Sequence, residues 1–319
     1  MNKHWKTLAV LACSAGLLSS TSAMASVLPD TVPGPPVVKK LEKTEANAIT
    51  PNTTFEFQIT PASVAKNTKE NNIPVYAGKD DLLKFTNGST LSYSSAAALQ
   101  QNLGVSVKGD LSGFTPGIYR YKIREIQGTV DGITYDSTVY TVDVYVTMES
   151  QGKKATVVLY KGQDKASGLV FKNTYTTHKL TIIKKITGNA ADLNKKFKFK
   201  ITIKGADGET YATNASNHQV LTSGTETEVI LGNNESIEIY GLSAKDTYKV
   251  VEDKENYTSS GTVETATAIG NSDKMVTVTN KLETTIPTGV IQRVAPFAIA
   301  LIGVGFVGVV YYRKKREEA

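Results

Sequence analysis

From residue 37 to residue 282, apolar and polar side chains alternate in short runs, the period of strands that bury one face and wet the other. Phe55-Glu56-Phe57-Gln58-Ile59, Val142-Asp143-Val144-Tyr145-Val146 and Phe197-Lys198-Phe199-Lys200-Ile201 show it most clearly. Asn87-Gly88, Asp131-Gly132 and Asp207-Gly208 supply turn residues that tolerate a left-handed backbone between such runs. Ser94–Leu103, with Ala96-Ala97-Ala98-Leu99 at its centre, predicts one short helix. Many short strands with regular turns predict an all-β chain built of β-sandwiches.

A weak internal repeat sets the number of domains at two. Val37-Val38-Lys39-Lys40-Leu41 returns as Ile182-Ile183-Lys184-Lys185-Ile186, and a Phe-x-Phe-x-Ile strand follows each copy. Tyr121-Lys122-Ile123-Arg124-Glu125 returns as Tyr248-Lys249-Val250-Val251-Glu252, and Phe171-Lys172-Asn173 as Val278-Thr279-Asn280. The expected domains are therefore residues 37–173 and 179–282, with 174–178 as the linker. Residues 26–36, carrying Pro29, Pro33, Pro35 and Pro36, form an extended leader.

The two ends depart from this alternation. Residues 1–25 have a basic start, an apolar stretch from Leu8 to Leu18 and the small-x-small site Ala23-Met24-Ala25, which together predict a secretory signal peptide. Cys13 lies within the apolar stretch, behind a Leu11 that does not suit a lipoprotein signal. Val294–Tyr312 is long enough to span a bilayer core of about 30 Å. Arg313-Lys314-Lys315-Arg316 follows at once, and such a cluster stays cytoplasmic, leaving the preceding chain outside. Thr285-Ile286-Pro287-Thr288-Gly289 stands just before the span, within a C-terminal segment of residues 283–319.

The net charge of +6 comes from these ends, since the segment between them is near neutral. That leaves no basic footprint for nucleic acid. The single cysteine is Cys13, so the segment beyond the signal peptide can hold no disulfide. His178 and His218 are its only histidines, which gives zinc ligation and Cys/His or Ser/His catalysis nothing to work with. No metal or cofactor is expected. Several Asn-x-Ser/Thr triplets read as chance in a threonine-rich chain.

Strand parity singles out six polar residues. Lys39 shares a face with Val37 and Leu41, Glu125 with Tyr121 and Ile123, and Asn173 with Leu169 and Phe171. Lys184, Glu252 and Asn280 stand in the same relation to the apolar residues of the second repeat, whereas parity turns Lys40 and Lys185 outward. Each domain thus directs an amine, a carboxyl and an amide into its core, where unpaired polar groups are costly. Burial lowers a lysine pKa and raises a glutamic acid pKa, favouring the neutral forms of both. A neutral amine is a nucleophile, and a protonated carboxyl can polarise an amide and move protons. An amine held beside the amide carbon can form an isopeptide bond and release ammonia.

The order of Pro-Thr-Gly motif, apolar span and basic tail, after a signal peptide, resembles a Gram-positive cell-wall sorting signal. Its form is closer to the glutamate-valine-proline-threonine-glycine motif of streptococcal pilins than to leucine-proline-x-threonine-glycine, with Thr285 and Ile286 departing from it. With the paired Lys, Glu and Asn positions and Pro51-Asn52-Thr53 before Phe55, the chain resembles a backbone pilin of the streptococcal T-antigen family. That resemblance implies two tandem Ig-like, CnaB-type sandwiches. It also implies self-formed bonds Lys39–Asn173, assisted by Glu125, and Lys184–Asn280, assisted by Glu252. A pilin sortase would cut between Thr288 and Gly289, making this protein the substrate and not the catalyst. Lys165, or alternatively Lys161, would supply the acceptor amine. The implied partners are identical subunits, accessory pilins and peptidoglycan, with the membrane involved only before sorting. The implied location is a wall-anchored pilus on the cell surface. The rival within the same surface class is a monomeric wall-anchored adhesin.

Overall fold

The structure, a computed structural model, describes residues 30–284. The signal peptide, Thr288–Gly289 and the apolar stretch 294–312 lie outside the described residues. Among the described residues the chain is all strand and turn, with no helix.

The strands that frame the two cores are β1 (Val37–Lys43), β2 (Thr53–Pro61), β3 (Gly117–Glu125), β4 (Val139–Glu149), β5 (Leu169–Tyr175), β6 (His178–Thr187), β7 (Lys196–Lys204), β8 (Ser236–Leu242), β9 (Thr247–Glu252) and β10 (Lys274–Lys281). In the first sandwich β1 and β5 lie side by side in a four-stranded sheet. They run parallel, with Lys39 opposite Phe171 and Leu41 opposite Asn173. The facing eight-stranded sheet contains β2, β3 and β4, with β3 antiparallel to β2 and to β4. Parallel neighbours need a long crossover. Here nearly the whole first domain is that crossover, because β1 opens it and β5 closes it.

The second sandwich repeats the plan. Strands β6 and β10 pair in parallel within a six-stranded sheet, with Lys184 opposite Val278 and Ile186 opposite Asn280. The facing four-stranded sheet carries β7 and β9. Each sandwich has its own apolar core, from Val37 to Tyr175 in the first and from Leu180 to Val278 in the second, and the two share no residue. The all-β, tandem β-sandwich architecture expected from the alternation and the repeat is the architecture observed.

Two expectations need correction. Ser94–Leu103 is not helical: a turn closes from Ala97 N–H to the Ser94 carbonyl at 3.0 Å, and Gln100–Leu103 is a strand paired antiparallel with β1. Three alanines are too few to nucleate a helix, which needs about 12–15 residues to be even marginal without tertiary support. Burying Leu103 beside Val37 decides the outcome. The linker is also shorter than 174–178. Strand β5 runs on to Tyr175 and β6 begins at His178, leaving Thr176 and Thr177 between them. Tyr175 is buried in the first core, and its hydroxyl donates to the Gly241 carbonyl of the second sandwich at 3.4 Å.

Phe171 shows how the core fixes β5. Its ring is fully buried and meets Phe57 and Tyr140 edge-on, with centroids 5.3 and 5.2 Å away. Phe171→Ala should cost about 3–5 kcal/mol, the usual range for emptying a buried phenylalanine site. Denaturant unfolding in a Lys39→Ala background, where covalent bonding of β5 to β1 cannot contribute, measures it. A loss below about 1 kcal/mol would show that the site collapses around the gap.

Candidate functional site: a buried Lys–Glu–Asn set in each sandwich

The six residues are brought together as two sets of three. Lys39 and Asn173 come from the paired strands β1 and β5, and Glu125 reaches in from the end of β3 in the opposite sheet. Lys39 and Asn173 have no exposed surface and Glu125 is 3 % exposed. The parallel register places Asn173 two residues beyond the position opposite Lys39. That offset is roughly 6–7 Å along the strand and about 4.8 Å across, within reach of an extended lysine side chain. Lys40 is only half-buried, as parity predicts.

Glu125 joins the other two. Lys39 Nζ donates to Glu125 Oε2 at 2.6 Å, and Asn173 Nδ2 donates to Glu125 Oε1 at 2.5 Å. Asn173 Oδ1 in turn accepts the main-chain N–H of Asp136 at 2.7 Å. The Lys39 amine also stands 4.3 Å from the centroid of the Phe55 ring, an apolar floor. Burial pushes the Lys39 amine below its ordinary pKa, and the bond to Glu125 opposes this without reversing it. Burial likewise pushes the Glu125 carboxyl up, against the bonds from Lys39 and Asn173. Both directions favour the neutral amine and the protonated carboxyl over the ion pair they would form in water.

The second set has the same register and a different hydrogen-bond pattern. Lys184, Asn280 and Glu252 occupy β6, β10 and the end of β9, and the first two have no exposed surface. Lys184 Nζ lies 2.6 Å from Glu252 Oε1 and 4.4 Å from the Phe197 ring centroid. The contact is an ion pair whose angles fall outside hydrogen-bond geometry. Burial again depresses the lysine pKa, against Glu252. Ser259 Oγ donates to Glu252 Oε2 at 2.9 Å, and neither polar atom of Asn280 has a hydrogen-bond partner among the described residues.

Comparison with known proteins identifies the family. Residues 35–176 match the family described as the Spy0128-like isopeptide containing domain, and residues 178–282 match a domain of unknown function, DUF7601. A pilin of Streptococcus pyogenes serotype M1 is 30% identical over a 344-residue alignment that covers 94% of this chain and 98% of that one. The chain belongs to the streptococcal major pilin family. The crystal structure of the major pilin from Streptococcus pyogenes superposes on this pilin with a TM-score of 0.58 at 25% identity, covering 78% of this chain and 98% of that one. The T-13 major pilin of the same species gives 0.57 at 25%, covering 79% and 98%. The pilus tip adhesin Cpa of Streptococcus pyogenes is 41% identical over 80 residues, 24% of this pilin and 12% of that protein.

Reading the sequence missed several residues around the two sets. Phe55 and Phe197 floor the two amines, while Phe57 and Phe199 stand opposite the two glutamates on the neighbouring strand. The recurring Phe-x-Phe strand was the signal for both pairs. Asp136 and Ser259 lie outside the repeat, and nothing in their spacing marks them. Lys161 and Lys165 belong to neither set, both being exposed on a hairpin at the edge of the eight-stranded sheet, with Gly162 at φ 63° in its turn.

In the first set, amine and carboxyl share one proton, so the ion pair and the reactive neutral pair carry the same proton count. Bond formation between Lys39 and Asn173 should therefore follow a bell-shaped pH profile. The rate falls on the acid side as a second proton converts Lys39 to the cation. It falls on the alkaline side as Glu125 loses the proton that the leaving ammonia needs. Peptide mapping of chain translated cell-free across a pH series checks this. A rate that rises without limit toward alkaline pH would remove the carboxyl from the reaction. Glu125→Ala and Glu252→Ala should each stop the bond in their own domain only.

Proposed function

We propose that this pilin is the backbone subunit of a covalently polymerised pilus, stabilised by isopeptide bonds Lys39–Asn173 and Lys184–Asn280 and processed by a pilin sortase at Thr288–Gly289. The observation that carries the reading is the recurrence of one buried Lys–Glu–Asn set, in one parallel register, in both sandwiches. A buried ion pair is weak evidence of stability, because desolvation offsets its attraction. Two such sets, each beside a carboxamide, fit chemistry better than they fit stabilisation.

The chemistry is acyl transfer between side chains. The neutral amine of Lys39 or Lys184 attacks the side-chain carbonyl carbon of Asn173 or Asn280, forming the new C–N bond. The glutamate takes a proton from the attacking nitrogen and returns it to the departing one, so that ammonia leaves and the carboxyl is regenerated. Proximity in the packed core supplies much of the acceleration. Each domain reacts once, so the protein is a structural subunit and not a turnover catalyst.

Polymerisation needs a second nucleophile. The sortase thiolate attacks the Thr288 carbonyl and holds an acyl-enzyme until an amine resolves it. Lys165 is the proposed amine and Lys161 the alternative. Both are exposed and near the end of the first domain, which suits access by a bulky enzyme. The last subunit passes to peptidoglycan, and accessory pilins join through the same chemistry.

Thr288→Ala should abolish both high-mass laddering on denaturing gels and wall anchoring, since no acyl-enzyme can form. Lys165→Ala should abolish the ladder and leave a folded, secreted monomer. Loss of the ladder with Lys161→Ala instead would move the acceptor four residues. A ladder unaffected by either change would move the acceptor to another lysine, whereas a single band from the wild type would indicate a monomeric wall-anchored protein and overturn the backbone assignment.

A further inference from the structure

The two sets differ at the atom where charge develops. When an amine adds to a carboxamide, the carbonyl oxygen becomes an oxyanion, and a fixed donor aimed at that oxygen lowers the barrier. In the first sandwich that oxygen, Asn173 Oδ1, accepts the main-chain N–H of Asp136 at 2.7 Å. In the second, Asn280 Oδ1 is buried and has no donor among the described residues.

The Asp136 N–H is held in place by its own side chain. Asp136 Oδ2 accepts the main-chain N–H of Lys172, the residue before Asn173, at 2.8 Å. Its Oδ1 accepts the N–H of Thr138, also at 2.8 Å. The carboxylate thus pins residues 136–138 to strand β5, beside the carboxamide that reacts. Ser259 is the nearest counterpart in the second sandwich, but its hydroxyl donates to Glu252 and not to Asn280.

We propose that the main-chain N–H of Asp136 is the oxyanion donor of the N-terminal isopeptide site, that the Asp136 carboxylate positions it, and that for want of such a donor the C-terminal bond closes later. The inference rests on the isopeptide reading above and adds a residue and an order to it. Lys39 Nζ bonds to Asn173 Cγ, the carbonyl electron pair moves onto Oδ1, where the Asp136 N–H donates to it, and the carbonyl re-forms as the C–Nδ2 bond breaks and ammonia departs. The proton released by the amine passes through Glu125 to the leaving nitrogen, so the donor itself is unchanged.

The test follows both bonds in one molecule. Full-length chain is made by cell-free translation, quenched in acid at intervals and digested, and the crosslinked and free forms of each peptide pair are counted. In the wild type the N-terminal bond should form at least about tenfold faster than the C-terminal one, since removing one oxyanion donor typically costs 10²–10³-fold. Replacing Asp136 by its α-hydroxy acid removes only the N–H and keeps the side chain. It should slow the N-terminal bond by about 10²-fold and leave the C-terminal rate unchanged. Asp136→Ala should slow it less, by about tenfold, and Asp136→Asn, which keeps one acceptor oxygen, should fall between Ala and the wild type. Equal rates in the wild type, a C-terminal bond that forms first, or an N-terminal rate indifferent to the ester would each overturn this inference while the isopeptide reading stands. The absence of both bonds in the wild type would overturn that reading itself.

Discussion

Everything distinctive about this pilin follows from placing an amine, a carboxyl and an amide inside an apolar core. A lysine with no exposed surface over a phenylalanine ring cannot keep its charge cheaply. Burial therefore does two things at once. It disfavours the charged amine, and it holds that amine in the same core as a carboxamide. In the proposed account, the packing that makes the arrangement costly as an ion pair makes it reactive as an amine and an amide.

The placement of the bonds matters as much as their chemistry. Both join the first strand of a sandwich to its last, so each proposed bond closes the domain covalently. Tension entering at Lys165 and leaving at Thr288 would run along β5, cross the two-residue connection into β6, and jump from Lys184 to Asn280. Residues 185–279 would lie off that path, and so would the chain before Lys165. In this account the C-terminal bond bears load directly. The N-terminal bond holds β5 to β1, so that the strand under tension cannot peel from its sheet.

Much of this was legible in the alternation of apolar and polar residues. Parity assigned Lys39 and not Lys40, and Lys184 and not Lys185, to the interior, and the side chains lie where it placed them. The repeat marked both glutamates and both asparagines because each shares a strand face with apolar residues. Periodicity cannot state which strands are neighbours, so the parallel pairing of first and last strands came from the structure. Asp136 stayed invisible because its contribution is a main-chain N–H, which any residue except proline could offer. The Ser94–Leu103 segment misled for the opposite reason. Local alanine content suggested a helix, and the tertiary opportunity to pair with β1 won.

The central claim is that two covalent bonds form unaided inside the folded chain. Intact mass of recombinant residues 26–288, with peptide mapping, tests it most directly. The account predicts a mass lower than the sequence mass by two molecules of ammonia, one restored by Lys39→Ala and the other by Lys184→Ala, with the lysine and asparagine peptides of each domain recovered joined. A folded protein at its full sequence mass would contradict it.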